Sequence, residues 1–311
     1  MSGDRTIPVL ALACLLLLVA AALAPQWLVF LLALALAKGL VVLGLVLLMR
    51  AGLVSFGQGL YFGLGAYAAA LLANRGGLDD AALMIVAGTG CAAALAAILG
   101  LLLARYREIF FAMLSLAFSM ILYGALVKSS ALGSTDGFNL HAREFAGFAL
   151  AGGTERRLFF AASVVLVFGL VWLLHRYLAS HWGRLSVAIR DNELRVEYLG
   201  ASVYRVVYAN YVAAGALAGM GGAFAALAVG HVDPETAYWT TSGEFVFIAI
   251  LGGTGNVLAP FLSAAIFEGL RTVANQYAPN VWQMSLGLAM LAIIMFLPGG
   301  LWTLVRRRSA A

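Results

Sequence analysis

Apolar runs of about twenty residues, separated by short clusters of arginine, glycine and polar residues, set the pattern of this chain. At 1.5 Å of rise per residue and a hydrocarbon thickness of about 30 Å, one such run makes one helical crossing of a membrane. On that basis spans are expected at 7–24, 28–48, 53–73, 81–104, 109–127, 158–178 and 206–229, then an irregular stretch at 245–273, and a last span at 281–297. The irregular stretch is apolar but interrupted. Gly252-Gly253-Thr254-Gly255-Asn256 breaks it and Pro260 restarts it, which is the pattern of two short half-helices joined within the membrane. The fold expected is an all-α polytopic membrane protein with about 8 to 10 transmembrane helices, some of them broken or re-entrant, as a single transmembrane domain over 1–311.

Composition agrees with this reading and removes other classes. Of 311 residues, 63% are hydrophobic and 11% charged, less than half the charged share of an ordinary soluble domain. Alternating ten-residue apolar segments are absent, which argues against an outer-membrane barrel. The net charge of +5 is gathered between the apolar runs, so it reads as an orientation signal and not as a nucleic-acid footprint. With the N-terminus in the cytoplasm, Arg50, Arg105, Arg107, the group Arg176 to Arg205 and the closing Arg306, Arg307 and Arg308 all fall inside, with both termini cytoplasmic. Arg5 and the run Ile7 to Ala24 resemble a signal peptide, but Pro25 stands where cleavage would occur, so an uncleaved first helix is expected. Two segments then lie outside, Lys128 to Arg157, with His141, Arg143 and Glu144, and His231 to Glu244, with Asp233 and Trp239. Cys14 and Cys91 lie inside apolar runs without partners at metal-ligand spacing; buried, inert thiols are expected, with no metal site.

Enzymatic signatures are missing. No His-Glu-x-x-His, Gly-x-Ser-x-Gly or P-loop motif occurs, and the two lysines, Lys38 and Lys128, follow no phosphate loop. No catalytic residue and no bound cofactor is expected. Span interiors from 7 to 229 hold no Asp or Glu, while Glu268 and Arg271 stand at i, i+3, a spacing that suits a local ion pair. Lys38 falls near the middle of the second span, where an ionised lysine costs about 2.5–3.5 kcal/mol. It faces a polar path, snorkels, or sits neutral against a carbonyl.

Three stretches carry more than packing. Gly52 to Tyr67 gathers glycines with hydrogen-bonding side chains at the start of a span; Gly59, Gly63, Gly215 and Gly219 have the i, i+4 spacing of close helix contacts. Ser55, Gln58 and Tyr61 there, with Thr254 and Asn256 in the broken stretch, are candidates to line a solute path. Gly183 to Gly200 interleaves acids and bases; Asn192 or Asp191 can cap a short helix over Glu193 to Leu199, and Gly200 can end it.

In order and spacing, Gly52 to Tyr67, Gly133-Ser134-Thr135-Asp136-Gly137, Gly183 to Gly200 with Ala-Ile-Arg-Asp-Asn-Glu, and Leu251 to Gly255 leading to Ala259-Pro260 resemble the integral-membrane permease subunits of branched-chain amino acid ABC importers, of the LivM type, over 28–303. The resemblance implies a multi-pass subunit of the bacterial inner membrane, embedded in lipid. It pairs with a homologous second permease, docks two cytoplasmic ATP-binding subunits that hold Mg-ATP, and receives substrate from a periplasmic binding protein. It implies that 179–205 is the cytoplasmic coupling loop, with Arg190, Asp191, Glu193 and Gly200 at the ATPase contact. Leu194, Arg195 and Val196 replace the alanines usual in relatives, and the superfamily extends to urea and amide importers. An ATP-independent channel or uniporter is the alternative from another class.

Overall fold

The computed structural model describes residues 6–77, 80–140, 144–145, 148–149, 155–277, 281–296 and 300–302; Arg5, His141, Arg143 and Arg306 to Arg308 lie outside them. Twelve α-helices run through these residues: α1 Thr6–Leu23, α2 Gln26–Met49, α3 Gln58–Gly76, α4 Ala81–Leu103, α5 Glu108–Lys128, α6 Glu155–Ala179, α7 His181–Asp191, α8 Glu193–Tyr198, α9 Val203–Val229, α10 Trp239–Gly252, α11 Ala259–Tyr277 and α12 Trp282–Phe296. Among the described residues α1, α2, α4, α5, α9 and the Arg157–Ala179 part of α6 are long and apolar enough to cross a membrane. The chain is thus an all-α polytopic membrane protein. Each expected span coincides with a helix, and the irregular stretch at 245–273 is broken as its glycines predict, into α10 and α11.

Short strands decorate the helices. β1 (Phe138–Asn139) pairs antiparallel with β4 (His231–Val232), and β2 (Glu144–Phe145) with β3 (Phe148–Ala149). The β1–β4 pair ties the segment after α5 to the segment after α9, at the end of the bundle where Asn74 of α3 donates to the Asn139 carbonyl.

α9 is the axis of the packing, laid against α2, α3 and α4. Its small residues make this possible. A Cβ added at Gly65 would strike the Gly219 carbonyl and one at Gly222 the Phe62 carbonyl, so α3 and α9 cross with backbones in contact. Gly63, Gly215 and Gly219 likewise face Ala237, Ala96 and Ala92, as their spacing predicts. Lipid tails are as apolar as leucine, so this close van der Waals contact, and not water exclusion, holds the centre together. α2 is buried from Ala35 to Leu48, whereas α1, α4 and α5 turn Leu12, Leu15, Leu16, Ile98, Leu101, Phe110 and Met113 outward, as a lipid-facing surface requires. Cys14 is half-buried and Cys91 is exposed, so the expectation of two buried thiols is corrected: α4 presents Cys91 on its outer side.

The α3–α9 crossing generates a prediction. Gly65→Leu or Gly222→Leu is expected to destabilise the detergent-solubilised chain by about 1–3 kcal/mol or more. Gly90→Leu on α4, where nothing stands within 4 Å of an added Cβ, should leave the melting temperature unchanged. Thermal unfolding followed by size-exclusion chromatography reads the difference.

Candidate functional site

The break between α10 and α11 builds the site. Gly253 adopts φ 78° and its N–H donates back to the Ala249 carbonyl, closing α10 in a conformation that favours glycine. Asn256 Oδ1 then accepts from the Leu258 N–H at 3.0 Å, and Pro260 stands in the first turn of α11, where no helical N–H is lost. α11 returns along α2, with the Phe261 ring filling the space beside Gly39.

This fold-back brings two carboxylates to one lysine. Lys38 Nζ, on a residue only 7% exposed, lies 3.1 Å from Glu244 Oε2 of α10 and 2.5 Å from Glu268 Oε1 of α11. The Phe267 ring lies 5.4 Å from the same nitrogen. Arg271, one turn beyond Glu268, approaches Glu244 at 3.6 Å and Glu268 at 3.9 Å, so the i, i+3 pair expected from sequence is present, as the outer part of a four-residue network. Of the readings open for Lys38, the structure shows an ion pair shared between two helices, facing a polar cavity. Glu244 corrects the expectation of an external loop from His231 to Glu244: α10 begins five residues before Glu244 and carries it inward. The missed signal was an unpaired lysine at membrane depth, which demands an acid at similar depth.

The network forms one wall of a cavity of about 540 Å³ between α2, α3, α9, α10 and α11, within the usual range for small-molecule sites. Leu34, Phe62, Ala66, Ala226 and Val229 make an apolar side; His231, Asp233, Glu235 and Thr236 descend along it from β4. Phe62 meets Phe245 edge to face at 5.2 Å.

None of the five path candidates lines this cavity. Gln58 lies one turn of α3 before Phe62, on the same face, fully buried with both side-chain amide atoms unpartnered. Ser55 Oγ accepts from the Gly57 N–H at 3.2 Å, and Tyr61 shares a 2.7 Å hydrogen bond with Tyr211 across the α3–α9 contact. Thr254 and Asn256 sit in the α10–α11 turn.

At the far end of the bundle lie α7 and α8. Ser186 of α7 accepts from Asn210 Nδ2 at 2.8 Å, and Asn210 Oδ1 accepts from Tyr177 at 2.7 Å, so α6, α7 and α9 are joined by one chain of hydrogen bonds. Asn192 caps α8 by accepting from the Arg195 N–H at 2.9 Å, and Gly200 follows with φ 83°, both as the sequence predicts. Glu193 is engaged within the chain: both its oxygens accept from Arg107 Nε, at 2.9 and 3.2 Å, and Arg107 NH2 reaches Oε1 at 2.8 Å. Arg190 and Asp191 are exposed, with the Arg190 stem against Gly52. Leu194, Tyr198 and Leu199 are also exposed, Tyr198 at 89%. The loops after α2 and α4 and the α7–α8 pair therefore share one end of the molecule, as the arginine distribution implies.

A bundle of spanning helices with a broken pair and a charged cavity is an architecture that suits a membrane permease. The family described as branched-chain amino acid transport system / permease component matches residues 27–297, and the chain belongs to it. The high-affinity branched-chain amino acid transport system permease protein LivM of Escherichia coli (strain K12) is 28% identical over 273 residues, covering 80% of this chain and 64% of that protein. LivM of Salmonella typhimurium (strain LT2) is 27% identical over the same shares. This chain thus spans 64% of the length of these curated relatives. No solved structure matches.

Removing the lysine should expose the cost of the network. Lys38→Met leaves two carboxylates without their shared cation and is expected to destabilise the chain by about 3–5 kcal/mol. Adding Glu268→Gln should recover much of the loss, read as a melting temperature that falls in the single variant and rises again in the double.

Proposed function

We propose that the chain is the transmembrane permease subunit of an ATP-driven ABC importer for branched-chain or related amino acids. On this reading a periplasmic binding protein delivers substrate to the cavity end, and a homologous second permease completes the membrane unit. Two ATP-binding subunits hydrolyse Mg-ATP at the α7–α8 end, so the N-terminus and α7–α8 face the cytoplasm of a bacterial inner membrane. The observation that carries the reading, beyond family membership, is the build of α8. It is a short capped helix with Leu194, Tyr198 and Leu199 exposed, fastened by a bidentate ion pair to the α4–α5 loop.

Such a helix serves as a lever. Arg190, Asp191 and the α8 surface meet the ATPase; Glu193, through Arg107, carries displacement into α4 and α5, and Asn210 carries it into α9. Gly200 lets the chain turn sharply from α8 into α9. Closing of the ATPases then moves packed helices as units between states open to either side. On this reading the Phe62–Phe245 contact is a barrier, with Ser55 just before α3 and Gln58 and Tyr61 in its first turn beyond it, and Thr254 and Asn256 at the hinge of the broken pair. Gln58, with its unpartnered amide, is the first polar group a solute meets past that barrier.

The test is purification of the tagged chain from its native membrane, followed by uptake in liposomes. A second permease and P-loop ATPases are expected to accompany it, and leucine uptake should require ATP and the binding protein. Solute flux through the chain alone, without ATP, contradicts the reading. Within the assembled complex, Glu193→Arg should lower leucine-stimulated ATP hydrolysis by about tenfold, the scale of one charge-assisted hydrogen bond. The reciprocal exchange Arg107→Glu with Glu193→Arg should restore much of it. Full stimulation in the single variant removes the lever.

A further inference from the structure

Resting on the permease reading, we propose that Glu244 and Arg271 are the recognition pair for the α-ammonium and α-carboxylate of the transported amino acid, inside the cavity between α2, α3, α9, α10 and α11.

The network divides into two parts of different character. Lys38 and Glu268 are almost wholly buried, with side chains 9% and 6% exposed, and their contact is the short one. They are the fixed inner pair. Glu244 and Arg271 are 24% and 39% exposed; Glu244 also accepts from Lys38 at 3.1 Å, but its contact with Arg271 is looser, at 3.6 Å. Both open to the cavity. A long contact between two partly exposed, cavity-facing ions is weak, because water screens it and long side chains must be held still.

A zwitterion matches this arrangement in charge. Inserting its ammonium against Glu244 and its carboxylate against Arg271 replaces one loose internal pair with two charge-assisted pairs, and the total charge within the membrane does not change. An anion or a cation alone gains one charge-assisted pair where the zwitterion gains two, and it adds a net charge to the network at membrane depth, which is costly. Arg271 suits a carboxylate because its planar fork can donate two parallel hydrogen bonds. The apolar side formed by Leu34, Phe62, Ala66, Ala226 and Val229 gives an aliphatic side chain a place away from the charges. Specificity then falls into two terms: the ion pair reads the amino acid head group, and the apolar side admits a branched chain without reading its shape closely.

Thiol protection tests this in the complete transporter reconstituted in liposomes. Thr272→Cys, on the cavity wall, is introduced in a Cys14→Ser, Cys91→Ser background and labelled with a small charged thiol reagent. Asn275→Cys reports from the same wall if the first variant does not assemble. Millimolar leucine should slow labelling at least about tenfold, whereas 4-methylpentanoate, lacking the ammonium, and 3-methylbutylamine, lacking the carboxylate, should not. In an added Glu244→Gln, Arg271→Gln double variant, which keeps the charge balanced, leucine protection should disappear. Equal protection by all three compounds, or leucine protection that survives the double variant, overturns the assignment. So does an absence of protection while the same liposomes take up leucine with ATP. Loss of ATP-driven uptake in the parent preparation would instead count against the permease reading itself.

Discussion

An ammonium group placed near the middle of a membrane span must be neutralised where it stands, and much of this architecture follows from that demand at Lys38. An isolated lysine there costs about 2.5–3.5 kcal/mol, while a lysine held by two carboxylates is acceptable only if both arrive at the right depth. No single straight helix supplies them here: Glu244 and Glu268 come from α10 and α11, which the Gly253 turn folds against each other. The broken pair, the ion network and the cavity they enclose are therefore one construction.

That construction needs a rigid frame, and the frame is made of small residues. α2, α3 and α4 approach α9 closely enough that backbone meets backbone at Gly44, Gly65, Gly219 and Gly222. Packed interfaces of this kind have few intermediate arrangements, so helices displaced at one end move as bodies. The Arg107–Glu193 pair and the Tyr177–Asn210–Ser186 chain attach α7 and α8 to that frame by charge and hydrogen bonding, not by loose packing. On the proposed reading, a push at α8 reaches the helices around the cavity through these attachments.

The helices were legible in the sequence because an apolar run of about twenty residues has one stable form in lipid. The break was legible too, since Gly252 to Gly255 and Pro260 act through local backbone geometry, and so was the Asn192 cap. What could not be read were contacts between residues far apart in the chain. Lys38 and Glu244 are 206 positions apart, and a boundary error of a few residues was enough to leave Glu244 in a loop. The hydroxyl of Tyr61, a residue expected on the path, is hydrogen-bonded to Tyr211, a partner that only the α3–α9 crossing supplies. Glu193, expected at the ATPase contact, is held by Arg107 across a separation that hydropathy does not register. Helix type comes from local pattern; the face each helix turns to its neighbours comes from packing.

The central claim is that the cavity and the α7–α8 pair open to opposite sides of one membrane. Membrane-impermeant thiol labelling in right-side-out vesicles measures this most directly, comparing Gln276→Cys at the cavity with Tyr198→Cys on α8 in a chain freed of its own cysteines. The account predicts that Gln276→Cys reacts in intact vesicles and Tyr198→Cys only after permeabilisation. Labelling of both positions from the same side would contradict it.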